Sequence, residues 1–404
     1  MDHPALIEKA AAPLKICIIA SELAPYGNFG GIGTHVLTLA RGFAELGHQV
    51  TVAGFAIHSE RRIGHDWGES ISLSLLPWLA PNWDRGRLRG AIAVAGFVRK
   101  MRGRFDVIET SNWGHTAFLP VKGYRYAARL SSSVLDAGIP GLATRFVHWL
   151  ETRSVQRADL LIANSEAMRR RAIEIYRCGS VPCEVVSYGV HDVPDPGTSP
   201  PKGRLSLLYI GRAEYRKGSD IFLQALSRVL PKCPRLEVKL LGGSFADYAD
   251  SRPELRSLWR TLQAQCGDRI HSLGRLDEQK KCGQIASAHW LIVPSRFESF
   301  GQVVIEAMRA GTPVLAAAAG ALTEVCCKGP GNLLYAPPED SQALAELLER
   351  VYARGEDYAL SLRHATRDAY LKWFTAGRFV EESLAQYRKL VPEDPRFDLP
   401  TPGG

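Results

Sequence analysis

The sequence predicts an α/β protein of two doubly wound, Rossmann-like domains, each built on a parallel sheet, facing each other across a cleft. Three observations carry this. The chain opens with a strand, a glycine-rich loop, an amphipathic helix and a second strand, the repeating unit of a parallel sheet. The same pattern restarts near residue 205. Between the two lies Val193-Pro-Asp-Pro-Gly-Thr-Ser-Pro-Pro-Lys-Gly203, too rich in proline for a helix interior and therefore a linker. A length of 404 residues also exceeds what one such core usually holds. The expected organisation is residues 1–195 as the first domain, 203–374 as the second, and 375–404 as a C-terminal helix and tail.

In the first half, Lys15-Ile-Cys-Ile-Ile-Ala20 is the unbroken apolar run of a strand buried on both faces. Gly27-Asn-Phe-Gly-Gly-Ile-Gly33 follows. A helix over 34–46 then carries Val36, Leu37, Leu39, Ala40 and Phe43, and Gly47 stops it. Further strands are expected at 49–55, 105–109, 126–130, 160–163 and 184–187. In the second half, strands are expected at 205–210, 236–241, 290–293 and 313–316, with helices at 219–230, 302–310 and 341–352. A last helix over 375–390 places Phe379, Leu384 and Tyr387 on one face.

Composition narrows the function classes. An apolar fraction of 46% and a charged fraction of 23% fit an ordinary folded domain rather than a disordered chain. The eight cysteines follow no repeating spacing and include no Cys-x-x-Cys. A disulfide framework or a zinc site is therefore not expected, and a reducing cytoplasm fits best. Residues 1–13 lack the apolar core of a signal peptide, and the longest apolar runs, 91–98 and 313–322, fall short of a membrane span. The net charge of +8 suits an anionic partner without choosing between nucleotide, lipid surface and nucleic acid. No zinc-finger, RNA-recognition or helix-turn-helix pattern favours nucleic acid.

Three segments can carry chemistry. The first is Pro294-Ser-Arg-Phe-Glu-Ser-Phe-Gly-Gln-Val-Val-Ile-Glu-Ala307. It places Glu298 in the loop after a strand and Glu306 in the second turn of the next helix. The helix start offers free N–H groups to an anion, and each carboxylate can accept from vicinal hydroxyls. Two polyols flanking phosphates describe a nucleotide-sugar. In isolation, a strand–loop–helix with two solvated glutamates would read the same way. The second segment is Gly211-Arg-Ala-Glu-Tyr-Arg-Lys-Gly218, where Arg212 and Lys217 suit a diphosphate. The third is Gly30-Gly31-Ile32-Gly33, which lets backbone approach a phosphate. It is not a dinucleotide fingerprint, because Val36 stands where glycine is required, nor does Gly211–Lys217 match P-loop spacing.

Together these segments resemble glycosyltransferase family 4, the retaining enzymes of the GT-B fold, over most of the chain. The family's Glu-x7-Glu is met by Glu298 and Glu306, and its Gly-Arg…Lys-Gly by Gly211, Arg212, Lys217 and Gly218. Gly30-Gly31, Ala158-Asp159, Asn164-Ser165-Glu166, Leu273-Gly274-Arg275-Leu276, Pro313-Val314 and Glu324 look like its other motifs. The resemblance implies that Glu306 holds the ribose, while Glu298 and the amides of Ser299, Phe300 and Gly301 hold the sugar. Arg212, Lys217 and Gly31 would face the diphosphate, and Arg275 and Leu276 the base. It implies retention of configuration and no metal; the chain contains no Asp-x-Asp. No cofactor is expected beyond the nucleotide-diphosphate sugar as co-substrate. It also implies that the last helix crosses back to the first domain.

One departure concerns the acceptor side. Many members place a histidine after the strand at 126–130, where this chain has Ser131. Acceptor-side candidates are therefore Ser131, His35, Asn112, Trp113 and His115. Another departure is the inserted His191 in Gly189-Val-His-Asp192. The expected activity is transfer of a hexosyl or N-acetylhexosaminyl group to a sugar, lipid-linked or small-molecule hydroxyl. The alternatives are a non-catalytic GT-B subunit that binds nucleotide-sugar or glycan, and a sugar-nucleotide epimerase. The stretch 85–104, with seven basic residues around apolar 91–98 and preceded by Trp78 and Trp83, reads as a core helix or as a peripheral contact on an anionic membrane.

Overall fold

The structure, a computed structural model, describes residues 12–20, 23, 31–56, 67–77, 83–112, 118–137, 141–194 and 197–391, the side chains of 83–87 excepted. The first half runs β1 (Lys15–Ala20), α1 (Gly31–Glu45), β2 (Gln49–Ala56), β3 (Ile71–Pro77), α2 (Trp83–Lys100), β4 (Val107–Ser111), β5 (Arg125–Leu130), α3 (Leu142–Gln156), β6 (Leu160–Ala163), α4 (Glu166–Tyr176) and β7 (Cys183–Val185). The second half runs β8 (Leu205–Gly211), α5 (Ser219–Val229), β9 (Leu236–Gly242), α6 (Phe245–Asp250), α7 (Pro253–Cys266), β10 (Ile270–Gly274), α8 (Glu278–Ala286), β11 (Trp290–Val293), α9 (Gln302–Arg309), β12 (Val314–Ala317), α10 (Leu322–Cys326), β13 (Leu333–Tyr335), α11 (Ser341–Arg354), α12 (Glu356–Trp373) and α13 (Ala376–Leu390).

The strand order is 3-2-1-4-5-6-7 in the first sheet and 10-9-8-11-12-13 in the second, and every pairing is parallel. In each sheet the order reverses once, between β1 and β4 and between β8 and β11. Ligands of such sheets bind at the carboxyl ends beside that reversal. The loops after β8 and β11, residues 211–218 and 294–301, flank the second reversal. The central strands are covered on both faces, as β4, β6, β11 and β12 show by burial along their whole length and β1 from Ile16 onward; all are apolar except β4, which buries Glu109, Thr110 and Ser111.

Three strands escape the sequence reading. β3 and β13 are outermost in their sheets and β10 closes the other edge of the second, so all have one strand neighbour and a weaker apolar signature. The helix expected over 34–46 begins three residues earlier, at Gly31, so two of the loop glycines lie in its first turn. Most of the apolar stripe of α2 faces inward, while Leu88 and Ile92 stay exposed. Ala91, Val94, Ala95 and Val98 are buried, and Val94 and Val98 pack with Phe55, Phe105, Ile108 and Tyr126. The core reading of 85–104 holds for the buried side of the helix. Trp78 and the side chain of Trp83 lie outside the described residues.

Helix α13 lies on α1 of the first domain. Gly42 makes this approach possible, since a Cβ there would lie 2.3 Å from Val380 Cγ2. Beneath it sits a buried ion pair. Arg129 donates to Glu109 through Nε and Nη2 at 2.8–3.1 Å, and its Nη2 also donates to Ser383 of α13 at 3.1 Å. The Tyr387 hydroxyl of α13 donates to Glu109 Oε2. Burial opposes the charge on Arg129, but Glu109 outweighs it and raises the pKa further.

A buried pair that loses one partner leaves the other charge stranded, at about 3–5 kcal/mol, whereas a single neutral hydrogen bond contributes about 1 kcal/mol. Glu109→Gln is therefore expected to lower the urea midpoint by several times the drop seen in Tyr387→Phe. Equal drops in the two variants would show that the pair is not what anchors α13.

Candidate active site between the two sheets

The loop between β11 and α9 is the centre of the site. Gly301 caps α9 with φ +93°, a left-handed conformation that glycine adopts without strain. Glu298, fully buried, accepts from Lys217 Nζ at 2.6 Å and from Ser295 Oγ at 2.7 Å, with Arg216 Nη1 at 3.8 Å. Burial alone would raise the Glu298 pKa. Lys217 first and Arg216 second reverse this and hold the carboxyl below its ordinary range.

Lys217 is placed by the other loop at the sheet reversal. Gly218 takes φ +65°, and a Cβ there would lie 1.8 Å from the Pro294 carbonyl oxygen, so only glycine lets the two loops close on each other. Arg296 stitches them further. It donates to both oxygens of Asp220 at 2.7 and 2.8 Å and to the Tyr215 carbonyl at 2.6 Å. Arg212 projects outward beside Glu214 at 3.2 Å, with its side chain 70% exposed.

Residues of both halves enclose a cavity of about 420 Å³, lined on one side by Arg212, Arg216, Lys217 and the 297–303 segment, and on the other by Gly31, Ser131–Ser133, Asp136 and Tyr188. The Gly31 carbonyl accepts from Gln302 Nε2 at 3.1 Å, so the first turns of α1 and α9 face each other across it. Glu306 lies one turn further along α9 and lines a separate cavity of about 590 Å³ beside the linker. Gln302, Glu306 and Arg309 share one helix face, so the two cavities follow it in sequence. Glu306 Oε1 accepts from Lys281 at 3.1 Å. Its Oε2 is buried with no hydrogen-bond partner among the described residues. Burial works against the charge on Lys281, but Glu306 and then Glu278 raise its pKa.

The two halves are tied together around this site. Phe300 packs edge-on against Tyr188, with ring centroids 5.1 Å apart. Ser165 Oγ donates to the Ser299 carbonyl at 2.7 Å. Glu324 accepts from the N–H groups of Glu166 and Ala167, so a carboxylate of the second half caps helix α4 of the first.

The family model described as a glycosyl transferase 4-like domain matches residues 30–189, and the one described as glycosyl transferases group 1 matches 204–354. The chain belongs to the family 4 glycosyltransferases. A D-inositol 3-phosphate glycosyltransferase of Kineococcus radiotolerans is 27% identical to it over 416 residues, covering 91% of this chain and 92% of its own. The sucrose-phosphate synthase of Thermosynechococcus elongatus superposes with a TM-score of 0.75 at 21% identity, over 93% of this chain and 98% of that one. Anabaena HepE in complex with UDP-glucose superposes with 0.69 at 18% identity, over 93% and 100%. These likenesses establish the GT-B fold.

In this family 4 glycosyltransferase, several expected positions fall elsewhere. His35 does not line the cleft. It is buried, stacked on Tyr188 at 4.7 Å, and burial followed by the Arg129 charge lowers its pKa to about 3. Asn112 is also buried. It accepts from Ser131 N–H at 2.9 Å and donates to the Ser132 carbonyl at 2.6 Å, so it shapes the wall rather than forming it. Ser131 does line the cavity. Trp113 and His115 lie outside the described residues. Arg275 is exposed and Leu276 packs on the core; neither lines either cavity, because their loop sits at the outer edge of the sheet after β10. Lys281, Arg216 and Arg296 escaped the sequence reading. Arg216 sits inside the Gly211–Gly218 segment and was findable there; nothing in the chain near Lys281 points to Glu306.

Because the folded protein depresses the Glu298 pKa, its pairing stabilises the fold above the ordinary carboxylate range and is lost as the pH falls through the folded value. Glu298→Gln is expected to lower the urea midpoint at neutral pH, and the gap to the parent should narrow as the pH falls below the ordinary carboxylate range. A gap that stays constant over that range would mean that the charge on Glu298 contributes no stability.

Proposed function

We propose that the protein is a retaining, metal-independent glycosyltransferase that moves a hexosyl or N-acetylhexosaminyl group from a nucleotide-diphosphate sugar to a hydroxyl acceptor. The observation that carries this is the coupled Lys217–Glu298 pair at the start of α9, facing Gly31 across a cavity bordered by Arg212. That HepE is known in complex with UDP-glucose supports a nucleotide-sugar donor of this kind.

The donor would lie along α9. The unpartnered Oε2 of Glu306 is a buried acceptor one turn from the α9 start, which suits a ribose hydroxyl. The diphosphate would meet Lys217, Arg212 and the N–H groups that open α9. The sugar would lie against Glu298 and the 299–301 backbone, opposite Ser131. The acceptor oxygen attacks the anomeric carbon on the face from which the diphosphate departs. The bond to the phosphate oxygen breaks, its electron pair stays on the diphosphate, and the acceptor proton passes to that oxygen. Lys217, Arg212 and the helix dipole stabilise the growing charge, which needs neither a metal nor a titrating residue at position 131.

Nucleoside-diphosphate release across a panel of donors tests this, with NMR of the product to read the anomeric configuration. Glu306→Ala is expected to raise the donor KM by about 10-fold or more, and Glu298→Ala to lower kcat by about 100-fold. Joint replacement of Arg212 and Lys217 by alanine should depress both. A chelator should leave the rate unchanged. A fully active Glu298→Ala protein, or an inverted product, would sink the reading.

A further inference from the structure

We propose that the outward face of α3 docks on an anionic membrane surface and holds the acceptor side of the cleft against the lipid. Helix α3 has two unlike faces. The inner one, Val147, Leu150, Glu151, Ser154 and Val155, is buried. The outer one carries Leu142, Phe146 and Trp149, which are 82%, 41% and 46% exposed. These fall at helical spacing and form one stripe. Phe146 stacks with Trp149 at 6.0 Å, and Phe118 lies 5.4 Å from Trp149, so the aromatic surface extends beyond the helix.

Charge selects the partner. Arg145 and Arg153 share the exposed face, with the Arg153 guanidinium 5.9 Å from the Trp149 ring. Arg157 follows immediately, over Phe118 at 5.5 Å. The sole acid of α3 is Glu151, and it is buried. An exposed aromatic stripe whose exposed charges on α3 are all arginine matches the boundary of an anionic bilayer, where aromatic rings sit among headgroups and guanidinium groups meet phosphates. A second copy of this chain would bring arginine against arginine. Helix α2 exposes Leu88 and Ile92 but no aromatic stripe among its described side chains, and its Ala91, Val94, Ala95 and Val98 are in the core.

The inner face explains why this surface bears on the reaction. Glu151 accepts from Ser133 Oγ at 2.9 Å, from Val134 N–H at 3.2 Å and from the Tyr176 hydroxyl at 2.9 Å. Ser131–Ser133 line the cleft. The serine wall is therefore fixed to the inside of the helix whose outside would meet the lipid, about one helix diameter, or 10 Å, away. A lipid-linked hydroxyl acceptor fits that arrangement; this last step rests on the transfer reading, whereas the docking surface does not.

The test is co-sedimentation of the full chain with vesicles of phosphatidylcholine alone or with about one-third phosphatidylglycerol. Binding is expected to the anionic vesicles only, and to weaken at about 0.5 M salt. Joint Phe146→Ser and Trp149→Ser should cut it by about 10-fold or more, and Arg145→Glu with Arg153→Glu comparably. Arg99→Glu with Arg102→Glu, elsewhere on the domain, should not. All these positions are exposed, so the variants should fold, and nucleoside-diphosphate release without lipid should be unchanged. No binding to either vesicle, binding that survives the α3 variants, or a concentration-dependent dimer dissolved by those variants would overturn the proposal. The donor reaction is read separately, so either conclusion can fail alone.

Discussion

The eight residues between β11 and α9 hold the two halves of this protein together at the cleft. The Glu298 carboxylate is held by Lys217 and Ser295, and its carbonyl accepts from Ala321 N–H at 2.9 Å. The next carbonyl, on Ser299, takes the Ser165 hydroxyl of the other half. Phe300 packs on Tyr188, and Gly301 turns the chain into α9. A loop with so many obligations has little conformational freedom. That is what a site needs if backbone N–H groups are to act on a ligand without reorganising first. The close approach at Gly218 extends the same rigidity to the loop that carries Lys217 and Arg212.

Buried carboxylates do structural work on the opposite side of the cleft. Glu109 joins β4, β5 and α13 through Arg129, Ser383 and Tyr387. Glu151 fixes the serine loop from below. Neither lines the cavity. Among the described residues, the wall of the cleft contributed by the first half therefore carries hydroxyls and one carboxylate, Asp136, and no histidine. The cations at the cleft, Arg212, Arg216 and Lys217, all come from the second half.

The sequence showed the contiguous segments that line the two cavities and not the contacts that join them. Glu298, Glu306, Arg212 and Lys217 were legible because each sits at a fixed offset from a strand end or a glycine. The pairing of Lys217 with Glu298 spans 81 positions, and that of Lys281 with Glu306 spans 25. No local pattern encodes either. His35 illustrates the same limit. A histidine that starts a helix behind a glycine loop can face the cleft or the core, and only the rotation of α1 against the sheet turns it onto Tyr188. For α2 the sequence left a core helix and a membrane contact open, and packing decided it: Ala91, Val94, Ala95 and Val98 are in the core, and the exposed aromatic stripe lies on α3.

Periodicity, proline placement and glycine spacing settled two parallel α/β halves, the linker between them and the loops that carry the donor-side residues. Those features depend on chain neighbours a few residues apart, so a single sequence contains them in full. Tertiary structure alone decided which carboxylate meets which cation, which face of each helix is covered, and how α4 and α13 fasten one half to the other. These depend on where distant segments come to rest, because burial and ion pairing are set by the neighbour in space and not by the neighbour in the chain.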